Sequence, residues 1–182
     1  MTAVDSIFKD LSDAADALLK GSELSLSVAI EENLRKTLLL SAASYFEWQL
    51  SNSVRDFVDE VTKNNLMIGT LVKSKAINRQ FHTWFDWKNN SAAPFYALFG
   101  PGFRDHMNGK IKVDQAIAEG LQAFLYIGAT RNLLVHSDYA TYPIEKTPSE
   151  IYDLYMKAIV FVDAASIELR ICSETASATQ TT

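Results

Sequence analysis

Arg131 and His136 bracket the fragment Arg-Asn-Leu-Leu-Val-His and set two groups suited to phosphodiester chemistry five positions apart. An imidazole titrates near pH 6.5, roughly, when unperturbed, so it can exchange protons with a ribose 2′-hydroxyl or a leaving 5′-oxygen. A guanidinium fork can grip a phosphate through two parallel hydrogen bonds and neutralise the charge that gathers on it during in-line attack. Neither step demands a metal. Five residues of α-helix turn about 500°, which leaves the two side chains about 140° apart. They converge on one ligand if the helix ends or unwinds there, or if a second subunit supplies the other half. A pair at this spacing also arises by chance, but three polar groups at the end of an apolar helix need a reason. Asn132 is the third, and Leu133, Leu134 and Val135 read as the segment's apolar anchors.

Glu47 lies in Tyr-Phe-Glu-Trp-Gln, between residues that read as buried, and an unpaired buried carboxylate is costly. It either salt-bridges Arg131 or bonds Asn132, holding their geometry, or it pairs with Arg55 or meets solvent. Asp138 and Tyr139 follow the histidine closely. They can orient His136 or contact RNA, but the turn after the helix is the simpler role. His82 and His106 have no further histidine or cysteine at ligand spacing, so they read as surface positions or the rim of an RNA site. No metal and no cofactor is expected.

Charge is unevenly distributed. The chain has 182 residues, 17 of them Lys or Arg and 22 Asp or Glu, for a net charge of −5 that argues against binding nucleic acid by bulk charge. The stretch from Lys73 to Lys112, however, carries seven basic residues against two acidic ones, a net +5 that leaves −10 for the remainder. Eight aromatic residues share that stretch. One reading is a substrate-facing arm in which Lys73, Lys75, Arg79, Lys88 and Arg104 track phosphates while Trp84 and Trp87 stack unpaired bases. The other is a packed insertion, which suits most of the rings, since eight exposed ones would invite aggregation.

The elements that must position these groups are helical. Glycine and proline are scarce, and long breaker-free segments imply an all-α fold. Helices are predicted over about 6–20 with Asp5 as N-cap, 25–63 with a bend near Ser51-Asn52-Ser53, 114–136, and from Pro148 onward. The last start is marked by Thr147-Pro148-Ser149-Glu150, a capping box with proline at the first helical position. Residues 1–172 read as one domain with an insertion at 73–112, and 173–182 as a flexible polar tail. The lone Cys172, an acidic N-terminus and the lack of a long apolar run point to a cytoplasmic protein off the membrane.

Three segments resemble a known family. The R-N-L-L-V-H fragment is similar to the R-x4-H signature of the HEPN superfamily, all-α domains of higher eukaryotes and prokaryotes. SAASYFEWQL at 41–50 resembles the aromatic-acidic motif on the long second helix of the RiboL-PSP-HEPN group. HSDYATYPIEKTPSEIYDLYMKAIVFVD is similar to the way such domains leave the motif and enter their final helix. The likeness spans most of 25–170 and implies a bundle of four to five main helices with the basic, aromatic-rich insertion. It also implies a metal-independent endoribonuclease that works as a homodimer, two R-x4-H motifs facing each other across the two-fold axis in a composite site. Arg131 would then polarise the scissile phosphate, His136 would act as general base or acid, and Asn132 would orient the arginine or the phosphate. The products would be a 2′,3′-cyclic phosphate or 3′-phosphate and a 5′-hydroxyl. Many such domains serve toxin–antitoxin or phage-defence systems, which implies an antitoxin or defence-system partner. Others have lost activity and act as dimerising modules that bind nucleotides or proteins.

Overall fold

A computed structural model describes residues 1–179. Helix α1 (Ala3–Lys20) begins one residue after Thr2, whose hydroxyl accepts from the Asp5 amide while the Asp5 carboxylate accepts from the Thr2 amide at 2.6 Å. Asp5 is therefore the third helical residue of a capping box rather than the N-cap, and the Thr2 amide holds its carboxyl below the usual range. Helix α2 (Leu24–Val61) runs unbroken through Ser51-Asn52-Ser53 and, at 38 residues, is about 57 Å long. The polar run is accommodated within the helix: Ser53 Oγ donates to the Gln49 carbonyl and accepts from Ser166 Oγ.

Between α2 and α6, and so reaching beyond the insertion at 73–112, come α3 (Leu66–Val72), a π turn at Lys73–Ile77, a 3-10 turn at Phe81–Thr83, α4 (Ala93–Ala97) and α5 (Pro101–Val113). Helix α6 (Gln115–His136) is capped by Asp114, which accepts from the amides of Ala116 and Ile117. Helix α7 (Pro148–Thr179) starts at the predicted capping box, Glu150 N donating to Thr147 Oγ1 and Thr147 N to Glu150 Oε2. It carries the first part of the polar segment from Ser173; residues 180–182 of the expected tail lie outside the described residues. The fold is thus an all-α bundle, with no strand among the described residues beyond a single bridge between Asp86 and Ser91.

Helices α2, α6 and α7 form the central layer, and α1 packs along α2. Their facing residues, Leu38, Ala42 and Phe46 from α2, Phe124 and Leu125 from α6, and Tyr155, Ala158 and Phe161 from α7, are buried together. The α6–α7 approach is close because Gly120 has no side chain. A Cβ there would lie 2.6 Å from the Lys157 carbonyl oxygen and 3.0 Å from the Phe161 nitrogen.

The insertion is packed, not splayed. Trp84, Phe85, Phe95, Tyr96 and Phe103 are all buried, and their rings join those of α6. Trp84 is only 1% exposed and its indole donates to the Ala76 carbonyl at 3.1 Å, so it cannot stack a base as the sequence suggests. The far end of the insertion is held by Glu168 of α7, which meets Lys110 Nζ at 2.7 Å and His106 Nε2 at 2.6 Å. Burial pushes the Glu168 carboxyl up, but the bonds from Lys110 and His106 outweigh it and leave the carboxyl below its usual range.

Gly120→Ala is expected to cost about 1–3 kcal/mol, read as a lowered melting temperature, since the added methyl meets backbone. Gly109→Ala in α5, where a Cβ meets nothing within 4 Å, is expected to raise it through helix propensity. A carboxyl with a lowered native pKa contributes its full stability above the ordinary glutamate value, near 4.3, and loses it as pH falls through the native one. Wild type should therefore lose more melting temperature than Glu168→Gln when the pH is taken from about 5 to 3, the window given by that lowered carboxyl.

Candidate functional site

At about 100° per residue, Gly128, Asn132 and His136 fall on one stripe of α6, each about 40° from the next, with Arg131 some 100° to one side of Asn132. The helix stays regular to His136 and ends there, Ser137 being extended at φ −107°, ψ 176°. Arg131 and His136 thus stand at the two edges of one broad face without any unwinding. That face borders a cleft of about 610 Å³. Arg131, Asn132 and His136 line it from α6, and Ala43, Phe46 and Glu47 line it from α2. The insertion contributes Arg79, Phe81, His82 and Trp87, with Phe124 and Gly128 also in the lining.

Arg131 is half-buried, and its guanidinium donates through Nη1 to the Asn132 side-chain oxygen at 3.1 Å. Glu47 shares the cleft but is exposed, which removes the premise that it needs a buried partner. Its neighbour Phe46 points into the core at 1% exposure, and consecutive helical residues diverge by about 100°. Arg55 donates to Asn52 instead of pairing with Glu47. Of the three leucine and valine residues in the motif, only Leu134 is buried, while Leu133 is 57% and Val135 45% exposed.

The insertion wall is fastened by shape. The Trp87 ring occupies the space that a Cβ on residue 128 would take, so only glycine permits this approach. Trp87 Nε1 donates to the His82 carbonyl at 3.0 Å, tying the 3-10 turn to the same wall. Arg79 reaches the cleft from a left-handed backbone, φ +59°, a conformation that costs a residue with a Cβ roughly 1–2 kcal/mol. With both histidines neutral the ionised cleft residues are two arginines and one glutamate, a positive balance within an acidic chain.

The other proposed arm residues are elsewhere. Lys73 pairs with Asp59 at 2.9 Å, Arg104 with Asp105 on α5, and Lys75 and Lys88 are exposed and do not line the cleft. Asp138 closes the turn after α6 by accepting from the Ala140 amide and Thr141 hydroxyl, and Tyr139 lies under Lys36 at 5.1 Å. His106 is held by Glu168. Phe81 and Gly128 were not candidates from the sequence, and His82 figured only as a rim position. One signal was there to be used: Ala43 and Gly128 stand one turn before Glu47 and Asn132, small residues that make room for a cleft. Among the described residues, no group of three or more His, Cys, Asp or Glu is placed to hold a metal ion, and no helix is long and apolar enough to cross a membrane.

The family model described as RiboL-PSP-HEPN matches residues 3–170, which takes in α1 through most of α7 and every residue of the cleft. No curated protein and no solved structure matches the chain.

Gly128→Ala is expected to displace the Trp87 ring and change the tryptophan emission while far-ultraviolet circular dichroism keeps its helical signal. In a Trp87→Ala background the same substitution should leave the emission unaltered, which assigns the effect to this contact.

Proposed function

The chain belongs to the RiboL-PSP-HEPN family, and on that premise we propose that it is an endoribonuclease that cleaves RNA without a metal ion. The observation that carries the reading is the single cleft shared by Arg131, Asn132 and His136, of a size that suits a nucleotide and walled by cations and rings. Arg131, oriented by Asn132, holds the scissile phosphate and offsets the charge that builds on its oxygens. His136, exposed at the helix end, exchanges a proton with the attacking 2′-hydroxyl or the leaving 5′-oxygen. Attack by the 2′-oxygen leaves a 2′,3′-cyclic phosphate and a 5′-hydroxyl. Phe81 and Trp87 offer apolar faces to a base, and Arg79 a second phosphate contact.

The same reading makes the protein a homodimer in the cytoplasm. Leu133 and Val135, exposed beside the motif, supply apolar surface for a second copy to cover, which would bring two R-x4-H motifs together. An enzyme of this kind needs restraint inside its own cell, so a toxin–antitoxin or phage-defence setting with a protein partner fits it. A second reading is a domain that dimerises and binds a nucleotide or protein without cutting. It is favoured by the apolar part of the lining, Phe46, Phe81, Trp87 and Phe124, which is a binding surface whatever the chemistry.

His136→Ala and Arg131→Ala are each expected to slow cleavage of single-stranded RNA by about 10²–10⁴-fold, measured on gels with end-group analysis. EDTA should leave the wild-type rate unaltered. Equal RNA integrity in cells expressing wild type or His136→Ala, with oligonucleotide binding retained by both, would move the assignment to the non-cutting reading.

A further inference from the structure

We infer that His82 is a second proton-transfer residue of the cleft, and that His82 and His136 divide the two proton transfers of RNA cleavage. This rests on the ribonuclease reading above and deepens it. In-line attack places the incoming 2′-oxygen and the leaving 5′-oxygen on opposite sides of phosphorus. As the 2′-O–P bond forms, the 2′-hydroxyl must give up its proton. As the P–5′-O bond breaks, the 5′-oxygen must receive one. No electrons are exchanged with any other group, so two proton carriers on two walls complete the balance.

The guanidinium groups of Arg79 and Arg131 stay protonated and cannot serve. Beyond the histidines, Glu47 is the cleft's other ionisable lining residue, and a carboxylate is an acceptor, poor at protonating a leaving group near neutrality. His136 stands on the α6 wall and His82 on the insertion wall. The position of His82 is built. Its carbonyl accepts from the Trp87 indole, and Trp87 in turn is seated against Gly128, one turn from Arg131 and Asn132. Three residues before it, Arg79 holds a left-handed conformation at φ +59°, strain of the kind that clusters at working sites. The imidazole itself is exposed and makes no hydrogen bond found among the described residues, so the fold does not need it. His106 differs: Glu168 binds its ring at 2.6 Å between α5 and α7. The third histidine of the chain is therefore structural, and the other two face one cavity.

The test uses purified full-length protein and two substrates: a single-stranded RNA with its cleavage position mapped, and the same RNA with sulfur replacing the 5′-oxygen at that position. A thiolate leaves without being protonated, so loss of the leaving-group acid matters little on the sulfur substrate. His82→Ala and His82→Gln are expected to slow the natural RNA by about 10²–10⁴-fold through kcat, with KM little changed. On the sulfur substrate, only one of His82→Ala and His136→Ala should recover a rate near wild type, which names the acid and leaves the other as base. Wild-type rates in both His82 variants would overturn the inference and leave the ribonuclease reading standing. So would recovery in both single variants or in neither. Wild-type protein that cleaves no RNA would overturn both.

Discussion

The ring of Phe124, one turn before Gly128 on α6, meets Phe46 of α2 at 5.7 Å, Phe161 of α7 at 5.3 Å, and Phe85 and Trp87 of the insertion at 4.8 and 5.8 Å. Bundle and insertion therefore share a core, and the same side chain forms part of the cleft floor. Removing a ring of this kind costs about 3–5 kcal/mol in typical cores, a large part of a domain's whole stability. Because its neighbours come from every wall, the cleft assembles when the core does. The cleft side chains need no separate device to hold them; they stand on the surface of the packing that makes the protein fold.

The charge distribution acquires a physical meaning in this arrangement. A net charge of −5 describes the whole molecule, while a substrate responds to groups within a Debye length, about 8–10 Å. Much of the insertion's positive charge is used up locally, Lys73 on Asp59 and Lys110 on Glu168. What remains at the cleft is Arg79 and Arg131, and an acidic frame around them disfavours a polyanion on the other faces.

Much of the helical frame was legible because the signals are local. Thr147-Pro148-Ser149-Glu150 and Asp114 satisfy the free amides of a helix start wherever they occur, so α6 and α7 begin where the residues say. Thr2 and Asp5 both suit an N-cap, and only the paired geometry tells which one it is. Burial was harder to read. The apolar company of Glu47 implied a buried carboxylate, yet neighbours on a helix face different ways, and Phe46 takes the core position. Of the two tryptophans suggested as stacking platforms, Trp84 lies inside and Trp87 at the edge, a choice made by contacts across the fold. Phe81 and His82 were least legible as site residues. They sit on a 3-10 turn that follows a π turn and the left-handed Arg79, irregular backbone with no periodicity for a sequence to display.

The walls of the cleft differ in how freely they can vary over evolutionary time. Arg131, Asn132 and Glu47 project from long helices whose opposite faces are committed to the central core, so replacements nearby disturb the whole bundle. Arg79, Phe81 and His82 project from a short irregular stretch that leans on α6 through one indole and one glycine. Descendants of this chain can remodel that stretch, changing which molecules are admitted and how they are oriented, while the Arg131 end stays as inherited. On the ribonuclease reading, selectivity and phosphate grip are in this sense separately heritable, and position 128 is the point where the two lineages of change must remain compatible.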